Sequence, residues 1–411
     1  MERSNGSPAD AAGQSGFVAL TRRLNLLALV DEIGPLYALY TLWFADNGIG
    51  AAQVSTVFLL WAAVAIVLEI PSGAIADRVD RRRLVAVAFV VRAVGISLWL
   101  LFPSYPVVIA GAILWAIHSA LASGAWEAMI HDQLTAIDRS DRYGTVMARV
   151  EQASDIGIAV GTVIAAAALG VGATILQLGW ATVAIHALAI RLVLSLPPTD
   201  LGRDPASDSA TGGPLAEWLA TLRGGVAEAL RVGAIGRLIV VLALVEGLFV
   251  FDEYVPLLGR DRGAPDSLVP ILVLVVWVGL LAGSEVAARR PSLTPRTLGI
   301  IMLAGGALLL VGVSAEPVWT VGLIGLGYGA LQLTWVVGGA RLQERLSSDH
   351  RATVTSVRGF LGGIVNTAVF ALIAARSVGD DPSGGLIIAA GLVVAVGLLT
   401  IGLVAPARAG S

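Results

Sequence analysis

Apolar runs of about 20 residues recur along the chain from Leu24 to Val404, and short polar or glycine- and proline-containing segments separate them. About 20 residues of α-helix cross the hydrocarbon core of a bilayer, whereas the strands of a membrane barrel alternate over segments of roughly ten residues. The sequence lacks that alternation, so it predicts an all-α membrane protein. We place its twelve transmembrane helices at about residues 24–45, 53–72, 84–102, 106–128, 147–171, 174–196, 236–258, 268–287, 297–314, 317–337, 354–376 and 384–405.

The composition strengthens this interpretation and excludes several classes of function. Of the 411 residues, 56% are hydrophobic and 14% are charged, against about 25% charged in soluble domains. The absence of cysteine excludes disulfides and thiol nucleophiles, and the four histidines are scattered along the chain. We find no nucleotide-binding glycine run and no nucleophile motif, so we expect no enzyme activity, no metal and no cofactor. The net charge of -3 indicates no nucleic-acid partner.

The arginines divide unequally between the two ends of the predicted spans. All 27 basic residues are arginine, which, with the many alanines, glycines and valines, is typical of a GC-rich bacterial genome. With the N-terminus inside, only Arg260, Arg262 and Arg376 fall outside, and Arg92 lies within the third span. Because cytoplasmic segments carry an excess of basic residues, we expect a multi-pass protein of the bacterial cytoplasmic (inner) membrane with both termini in the cytoplasm.

One long polar connection divides the chain into two sets of six spans. Residues 1–196 are predicted to form an N-terminal bundle, residues 197–235 a cytoplasmic linker, and residues 236–411 a C-terminal bundle. Within the linker, residues 215–230 carry apolar side chains at helical spacing, which predicts an amphipathic helix on the inner leaflet.

The two halves also show weak internal similarity. Residues 29–31 (Leu-Val-Asp) match residues 244–246 (Leu-Val-Glu), and each match is followed by a Pro-Leu pair. Two arginines seven residues apart bracket a Thr-Val pair in residues 142–149 and again in residues 351–358. A parallel duplication of six spans would produce such matches, so we expect two pseudo-symmetric bundles.

The connection between the second and third spans contains the pattern Gly73-x-x-x-Asp77-Arg78-x-x-Arg81-Arg82. With twelve spans around it, this pattern resembles the loop between helices 2 and 3 of the major facilitator superfamily, with Asp80 where the family usually has glycine. The resemblance implies the major facilitator fold and a transport function. The run Ser123-Gly124-Ala125-Trp126-Glu127-Ala128, together with residues 69–73, further resembles bacterial multidrug or antibiotic exporters.

The same resemblance implies a role for the charged loop. In the family, the aspartate of the loop faces the N-terminus of helix 11, and the arginine four residues later pairs with an acid at the end of helix 4. These contacts hold the two halves together on the cytoplasmic side in the outward-open state. Alternatively, the arginines only fix the orientation of the loop. Carried over, the set that we call the hairpin latch is Gly73, Asp77, Arg78, Arg81, Glu127 and Asp132.

Three charged residues lie at membrane depth in the N-terminal half. Asp31 and Glu32 lie about two turns into the first span, and Arg92 lies at a similar depth in the third. Charges inside a membrane are costly and usually functional, and a carboxylate that gains and loses an arginine partner can also gain and lose a proton. We therefore predict an Asp31–Arg92 or Glu32–Arg92 pair and a proton-coupling role for these residues. The alternative is a static buried pair.

Glu246 is the counterpart of Asp31 in the seventh span, where it could bind a cationic substrate or a second proton. Asp252 and Glu253 are expected near the outer end of that span, facing water. Each of the remaining polar candidates can either line a substrate cavity or only satisfy a neighbouring helix. These candidates are His118, Gln332, Trp335, Arg358 and Asn366.

These features together predict a monomeric secondary transporter that exports a hydrophobic or amphipathic small molecule, driven by the proton gradient. The alternative is a proton-coupled or facilitative importer of a small polar metabolite, which would require a denser set of polar cavity residues. A membrane enzyme is disfavoured by the missing catalytic motifs, and a non-transporting membrane partner by the intact loop motif. The expected partners are the small-molecule substrate and the lipid bilayer.

Overall fold

The computed structural model describes residues 8–76, 79–199, 233–346, 348–377 and 381–402, without the side chains of residues 8–13, 69–76, 234 and 348–353. All regular elements in these residues are helices. The α-helices are α1 (Pro8–Glu32), α2 (Tyr40–Asp46), α3 (Ala51–Ala76), α4 (Arg81–Leu101), α5 (Tyr105–Thr135), α6 (Tyr143–Gly170), α7 (Ile175–Leu194), α8 (Gly233–Gly247), α9 (Val255–Asp261), α10 (Val269–Arg289), α11 (Pro295–Ser314), α12 (Val321–Arg345), α13 (Ser348–Arg376) and α14 (Ser383–Gly402).

These helices form the twelve spans of the predicted fold. Ten of the described helices are long and apolar enough to cross a membrane. The other two spans are interrupted, one between α1 and α2 and one between α8 and α9, and a 3₁₀ turn (Phe251–Tyr254) precedes α9. The spans predicted at residues 24–45 and 236–258 therefore contain breaks that the sequence pattern did not predict. The linker prediction, including the amphipathic helix, concerns residues that lie almost entirely outside the described part of the chain.

The two breaks follow from local chemistry. Pro35 has no N–H to donate and disfavours a helical conformation of Gly34 before it. The chain leaves the helix after Glu32, and the freed N–H of Leu36 donates to the Thr182 hydroxyl at 3.1 Å. In the second half, Pro256 lies in the first turn of α9, where a proline is tolerated. A broken helix in a membrane is stable only where neighbouring groups satisfy its backbone.

Each half packs mainly within itself. In the N-terminal half, α4 packs on α5 and α7, and α1 packs on α6. In the C-terminal half, α11 packs on α14 and α12, and α10 packs on α12. The halves meet chiefly where α3 packs against α13 and α6 against α10. The space enclosed by these four helices contains the candidate site.

The two ends of the molecule are distinguished by the connections that lie there. The hairpin side is the end where the α3–α4 connection lies, and the far side is the opposite end, where α2 and α9 lie. By the arginine distribution, the hairpin side is expected to be cytoplasmic.

Candidate functional site

The far side of the molecule is closed by contacts between the two halves. Arg260 at the end of α9 forms an ion pair with Asp46 at the end of α2. Deeper in the membrane, the Tyr254 hydroxyl donates to the Ser55 hydroxyl at 2.7 Å. Below this bond, the rings of Phe58 and Phe370 lie 5.2 Å apart.

Below this seal, cavities lie between the halves and extend toward the hairpin side. One cavity of about 490 Å³ is lined by α3, α5, α8 and α13, and it reaches Ser123 and Gly359 in the hairpin-side halves of α5 and α13. A second cavity of about 360 Å³ lies next to the break between α1 and α2 and includes Glu32 and Arg92. The arrangement is therefore closed on the far side, with its cavities extending toward the hairpin side.

Arg92 and Asp31 form the predicted ion pair in the N-terminal half. One Arg92 guanidinium nitrogen donates to the Asp31 carboxylate and, at 3.2 Å, to the Asp31 backbone oxygen. The Arg92 side chain is only 4% exposed. The rings of Tyr37 and Phe89 lie 5.8 and 5.7 Å from its guanidinium carbon, close enough for cation–π attraction.

Glu32 differs from Asp31 although the two are adjacent. Its side chain lines the same cavity as Arg92, but no described residue donates a hydrogen bond to it or pairs with it. Glu32 lies against α6, because a Cβ atom added to Gly157 would lie 3.0 Å from the Glu32 Cβ. The structure therefore places both acids at the site, one paired with Arg92 and one facing the cavity.

Two histidines lie buried around this pair. The Nδ1 atom of His118 lies 2.9 Å from the Ala88 oxygen, and His118 lines the cavity as predicted for a cavity residue. The His186 Nδ1 lies 2.7 Å from the Thr182 oxygen, which is an acceptor, so Nδ1 is the donor. The neutral ring then accepts at Nε2 from the Tyr37 hydroxyl at 3.0 Å. Sequence analysis missed Tyr37, which lies in the α1–α2 break.

Glu246 also has an arginine partner. The Arg358 Nε lies 3.3 Å from the Glu246 carboxylate, and the Arg358 guanidinium lies 5.2 Å from the centre of the Trp335 ring. Glu246 lines the larger cavity and contacts Gly362 of α13. Each half therefore contains an acid–arginine pair, Asp31–Arg92 in the N-terminal half and Glu246–Arg358 in the C-terminal half.

Of the remaining predicted cavity residues, Asn366 lines a cavity, whereas Gln332 contacts a neighbouring helix. Asn366 lines the larger cavity, and its side-chain amide lies 3.5 Å from the Gly247 oxygen. The Gln332 amide instead donates to the Ser284 hydroxyl at 2.9 Å, and this bond joins α12 to α10. Gln332 is not among the residues that line the two cavities described above, and its bond links two helices of the C-terminal half.

The prediction that Asp252 and Glu253 face water near the outer end is wrong. Both lie in the 3₁₀ turn between α8 and α9, below the seal, and line the central cavities. The Tyr328 hydroxyl donates to Asp252 at 2.6 Å, and the Tyr40 hydroxyl donates to Glu253 from the other half. The chain leaves α8 after Gly247, so these acids do not continue the helix that carries Glu246.

A signal in the sequence could have found this second acid pair. Residues 31–36 read Asp-Glu-Ile-Gly-Pro-Leu, and residues 252–257 read Asp-Glu-Tyr-Val-Pro-Leu. The shared Asp-Glu-x-x-Pro-Leu is a closer match than the one between residues 29–31 and 244–246. Interrupted segments at corresponding positions of two halves commonly mark the binding site of a transporter.

The hairpin holds part of the predicted latch. One Arg81 guanidinium nitrogen lies 2.8 Å from both Asp132 oxygens, so the predicted Arg81–Asp132 contact is present. This contact joins α4 to α5 within one half, and it does not cross between halves. Glu127 is exposed on α5, and Gly73 lies in the last turns of α3. Asp77 and Arg78 lie outside the described residues.

Asp80 has a role of its own in the hairpin. Its side chain accepts from the backbone N–H groups of Arg82 and Arg83 at 3.0 and 3.3 Å, so it is the N-cap of α4. Its φ of -55° does not require glycine. An N-cap aspartate replaces the glycine of the usual pattern without strain.

Comparison with known proteins agrees with this architecture. The family model described as Major Facilitator Superfamily matches residues 24–370. A variant of the nucleoside transporter NupG superposes with a TM-score of 0.72 at 12% identity, covering 94% of this chain and 100% of that chain. A bacterial homolog of the human lysosomal transporter Spinster, in an inward-facing and unoccupied conformation, gives 0.61 at 15% identity, covering 94% and 95%.

The human organic anion transporter MFSD10 gives a TM-score of 0.55 at 16% identity, covering 92% of this chain and 99% of that chain. At these identities the likeness shows the fold alone. No curated protein matches. With the family model matching most of its length, the chain belongs to the major facilitator superfamily and is a multi-pass membrane transporter, not an enzyme.

Proposed function

We propose that this protein is a proton-coupled exporter of a hydrophobic or amphipathic small molecule and works by alternating access. The observation that carries the proposal is a cavity that combines an aromatic wall with the Asp31–Arg92 pair and the cavity-facing Glu32. Tyr37, Trp115 and Trp277 contribute rings to this cavity. Aromatic side chains beside placed polar groups are typical of small-molecule sites.

The coupling step follows from the ion pair. When Asp31 is ionised, Arg92 neutralises it, and the pair is stable although it is buried. When Asp31 or Glu32 takes up a proton, Arg92 loses part of its compensation and must find another partner. A conformational change that exposes the acids to the other side of the membrane would then release the proton.

The orientation belongs to the same proposal. With the arginine-rich hairpin side in the cytoplasm of a bacterial inner membrane, the open cavity faces the cytoplasm, where an exporter loads its substrate. The hairpin latch would close this side in the outward-open state, with Asp77 meeting α13 while Arg81 stays on Asp132. We expect the transporter to act as a monomer with no cofactor, powered by the proton gradient.

One observation favours the alternative, an importer of a small polar metabolite. The central cavities contain more polar groups than sequence analysis expected, since Asp252, Glu253 and Tyr37 also line them. An importer would use the same fold with the opposite direction of net flux.

The exporter and importer proposals are separated by measuring the accumulation of dyes and radiolabelled metabolites in cells that lack other exporters. Exclusion that an uncoupler abolishes supports export, whereas uptake that an uncoupler abolishes supports the alternative. In vesicles, the Asp31→Asn and Glu32→Gln variants test the coupling. Full proton-driven transport by both variants would remove the coupling role.

A further inference from the structure

The two Asp-Glu pairs of the chain have opposite electrostatic surroundings. Asp31 pairs with Arg92, whereas the side-chain partners of Asp252 and Glu253 are tyrosine hydroxyls. No arginine among the described residues lies within ion-pair distance of either acid. Two adjacent carboxylates in a low-dielectric site repel each other, so this site favours a bound cation or a proton.

Glu253 lies where three cavities adjoin, and it lines all of them. The smallest, of about 120 Å³, is otherwise formed almost entirely by aromatic rings. Two of these rings, Trp99 and Trp115, are stacked with centroids 5.5 Å apart, and Tyr40 is stacked on Trp99 at 6.0 Å. The whole set around Glu253 is Tyr40, Phe44, Phe58, Trp61, Trp99, Trp115 and Phe370.

A polar group next to this acid also lacks a partner. The Thr41 hydroxyl is buried, with the residue 1% exposed, and it makes no hydrogen bond to any described residue. Thr41 lines the same cavity as Glu253 and Asp252. A buried hydroxyl without a partner is costly, so it is suited to accept or donate a hydrogen bond when a ligand fills the cavity.

From these observations we infer that Glu253 and the surrounding rings bind the cationic group of an organic cation, and that this cation is the transported molecule. Faces of tryptophan and tyrosine attract a cation, most strongly when it is desolvated. The carboxylate neutralises the charge, and the apolar body of the ligand extends into the cavity of about 490 Å³. That the cation is transported rests on the proposed function. Its binding at Glu253 does not, because binding requires neither a gradient nor a direction of flux.

Because Glu253 contacts the other half of the molecule, a ligand bound there affects the contact between the halves. The Tyr40 hydroxyl, from the other half, donates to Glu253 in the sealed state. A cation that binds the Glu253 carboxylate competes with the Tyr40 hydroxyl for it. The Tyr40–Glu253 bond is one of the contacts between the halves. Binding at Glu253 therefore weakens the closure of the far side, as an exporter that has loaded its substrate requires.

The experiment uses two probes of nearly equal size and opposite charge, tetraphenylphosphonium and tetraphenylborate. Binding to the purified transporter in detergent is measured by tryptophan fluorescence and by thermal stabilisation. The wild type is expected to bind the phosphonium at least about tenfold more tightly than the borate. Glu253→Gln is expected to lose that preference, while Glu285→Gln, a surface acid paired with Arg289, keeps it.

A second measurement needs no variant. Dicyclohexylcarbodiimide labels buried carboxyl groups in wild-type protein, and mass spectrometry locates the label. The phosphonium is expected to protect Glu253 and leave labelling at Glu246 less affected. Equal binding of both probes, or unchanged phosphonium affinity in Glu253→Gln with no protection of Glu253, would overturn the inference. Binding without proton-driven flux would instead contradict the proposed function and the transport of the cation, and it would leave the binding site at Glu253 standing.

Discussion

Arg92 is the residue on which the charges of the N-terminal half depend. It is 4% exposed and lies on the third span, where an unpaired guanidinium would be very costly. Asp31 supplies the compensating charge, while Glu32 lies in the cavity without a described partner. We therefore propose different main purposes for these adjacent acids within the coupling step, charge compensation of Arg92 at Asp31 and proton uptake at Glu32.

The first prediction separates these purposes. Asp31→Asn leaves Arg92 buried without its counter-charge, so it is expected to destabilise the protein by about 3 kcal/mol or more. Glu32→Gln removes no ion pair and is expected to leave the melting temperature nearly unchanged while proton-driven transport falls. Thermal melting in detergent measures the first effect, and substrate flux under an imposed pH gradient measures the second.

The double variant Asp31→Asn with Arg92→Gln is the control, because it removes both charges. It is expected to regain most of the stability but not the proton coupling. A Glu32→Gln protein that melts far below the wild type would contradict the division of roles between the two acids.

Close packing of α6 against the first span holds the α1–α2 break in place. A Cβ atom added to Gly157 would lie 2.4 Å from the Leu29 oxygen, and one added to Gly161 would lie 2.9 Å from the Gly34 nitrogen. Gly157 therefore allows α6 to touch the backbone of α1, and Gly161 allows it to touch the backbone of the break. The packing of α6 therefore fixes the position of Asp31 and Glu32 at the end of α1.

Gly157→Ala is therefore expected to push α6 away from α1, to cost about 1–3 kcal/mol and to slow transport. Gly144, near the start of the same helix, has open space around it, so Gly144→Ala is expected to leave stability and transport unchanged. Melting temperature and transport rate are measured for both variants. Equal behaviour of the two alanines would show that the contact between α6 and α1 has no effect.

The α3–α4 hairpin supplies another comparison between similar residues. Arg81 pairs with Asp132, which is 7% exposed, whereas Arg83 is 75% exposed and lies beside Asp80. Arg81→Gln leaves a nearly buried carboxylate with fewer donors, at a cost of about 1.5 kcal/mol or more. It is expected to slow transport, while Arg83→Gln is expected to behave like the wild type. If both variants transport equally slowly, the hairpin arginines act through their summed charge and not through the Asp132 contact.

At the scale of the whole molecule, the recurrence of long apolar runs was sufficient to predict a twelve-helix fold, because each span must be long and apolar to cross the membrane. It could not show the breaks, because residues 24–45, which run from α1 into α2, have the length and composition of one span. The Asp31–Arg92 pair was predictable, since few charges lie at that depth. Glu253 was misplaced because depth was counted along an unbroken helix.

The seal on the far side is expected to set the balance between the two open states of the molecule. Arg260 contacts Asp46 across the halves and Asp266 within its own half. Asp46→Asn removes only the contact across the halves, so it is expected to shift the population toward the outward-open state. Asp266→Asn removes only the contact within one half and is the matched control.

Distances between spin labels on the two halves measure this shift. Since the chain has no cysteine, labels can be attached through Ser104→Cys and Glu316→Cys, two exposed far-side positions on opposite halves. The Asp46→Asn protein is expected to show a larger fraction of long distances than the wild type, because the remaining contacts across the seal are fewer. The Asp266→Asn protein is expected to keep the wild-type distribution. Unchanged distances in Asp46→Asn would mean that the Tyr254–Ser55 bond and the Phe58–Phe370 contact are enough to close the far side.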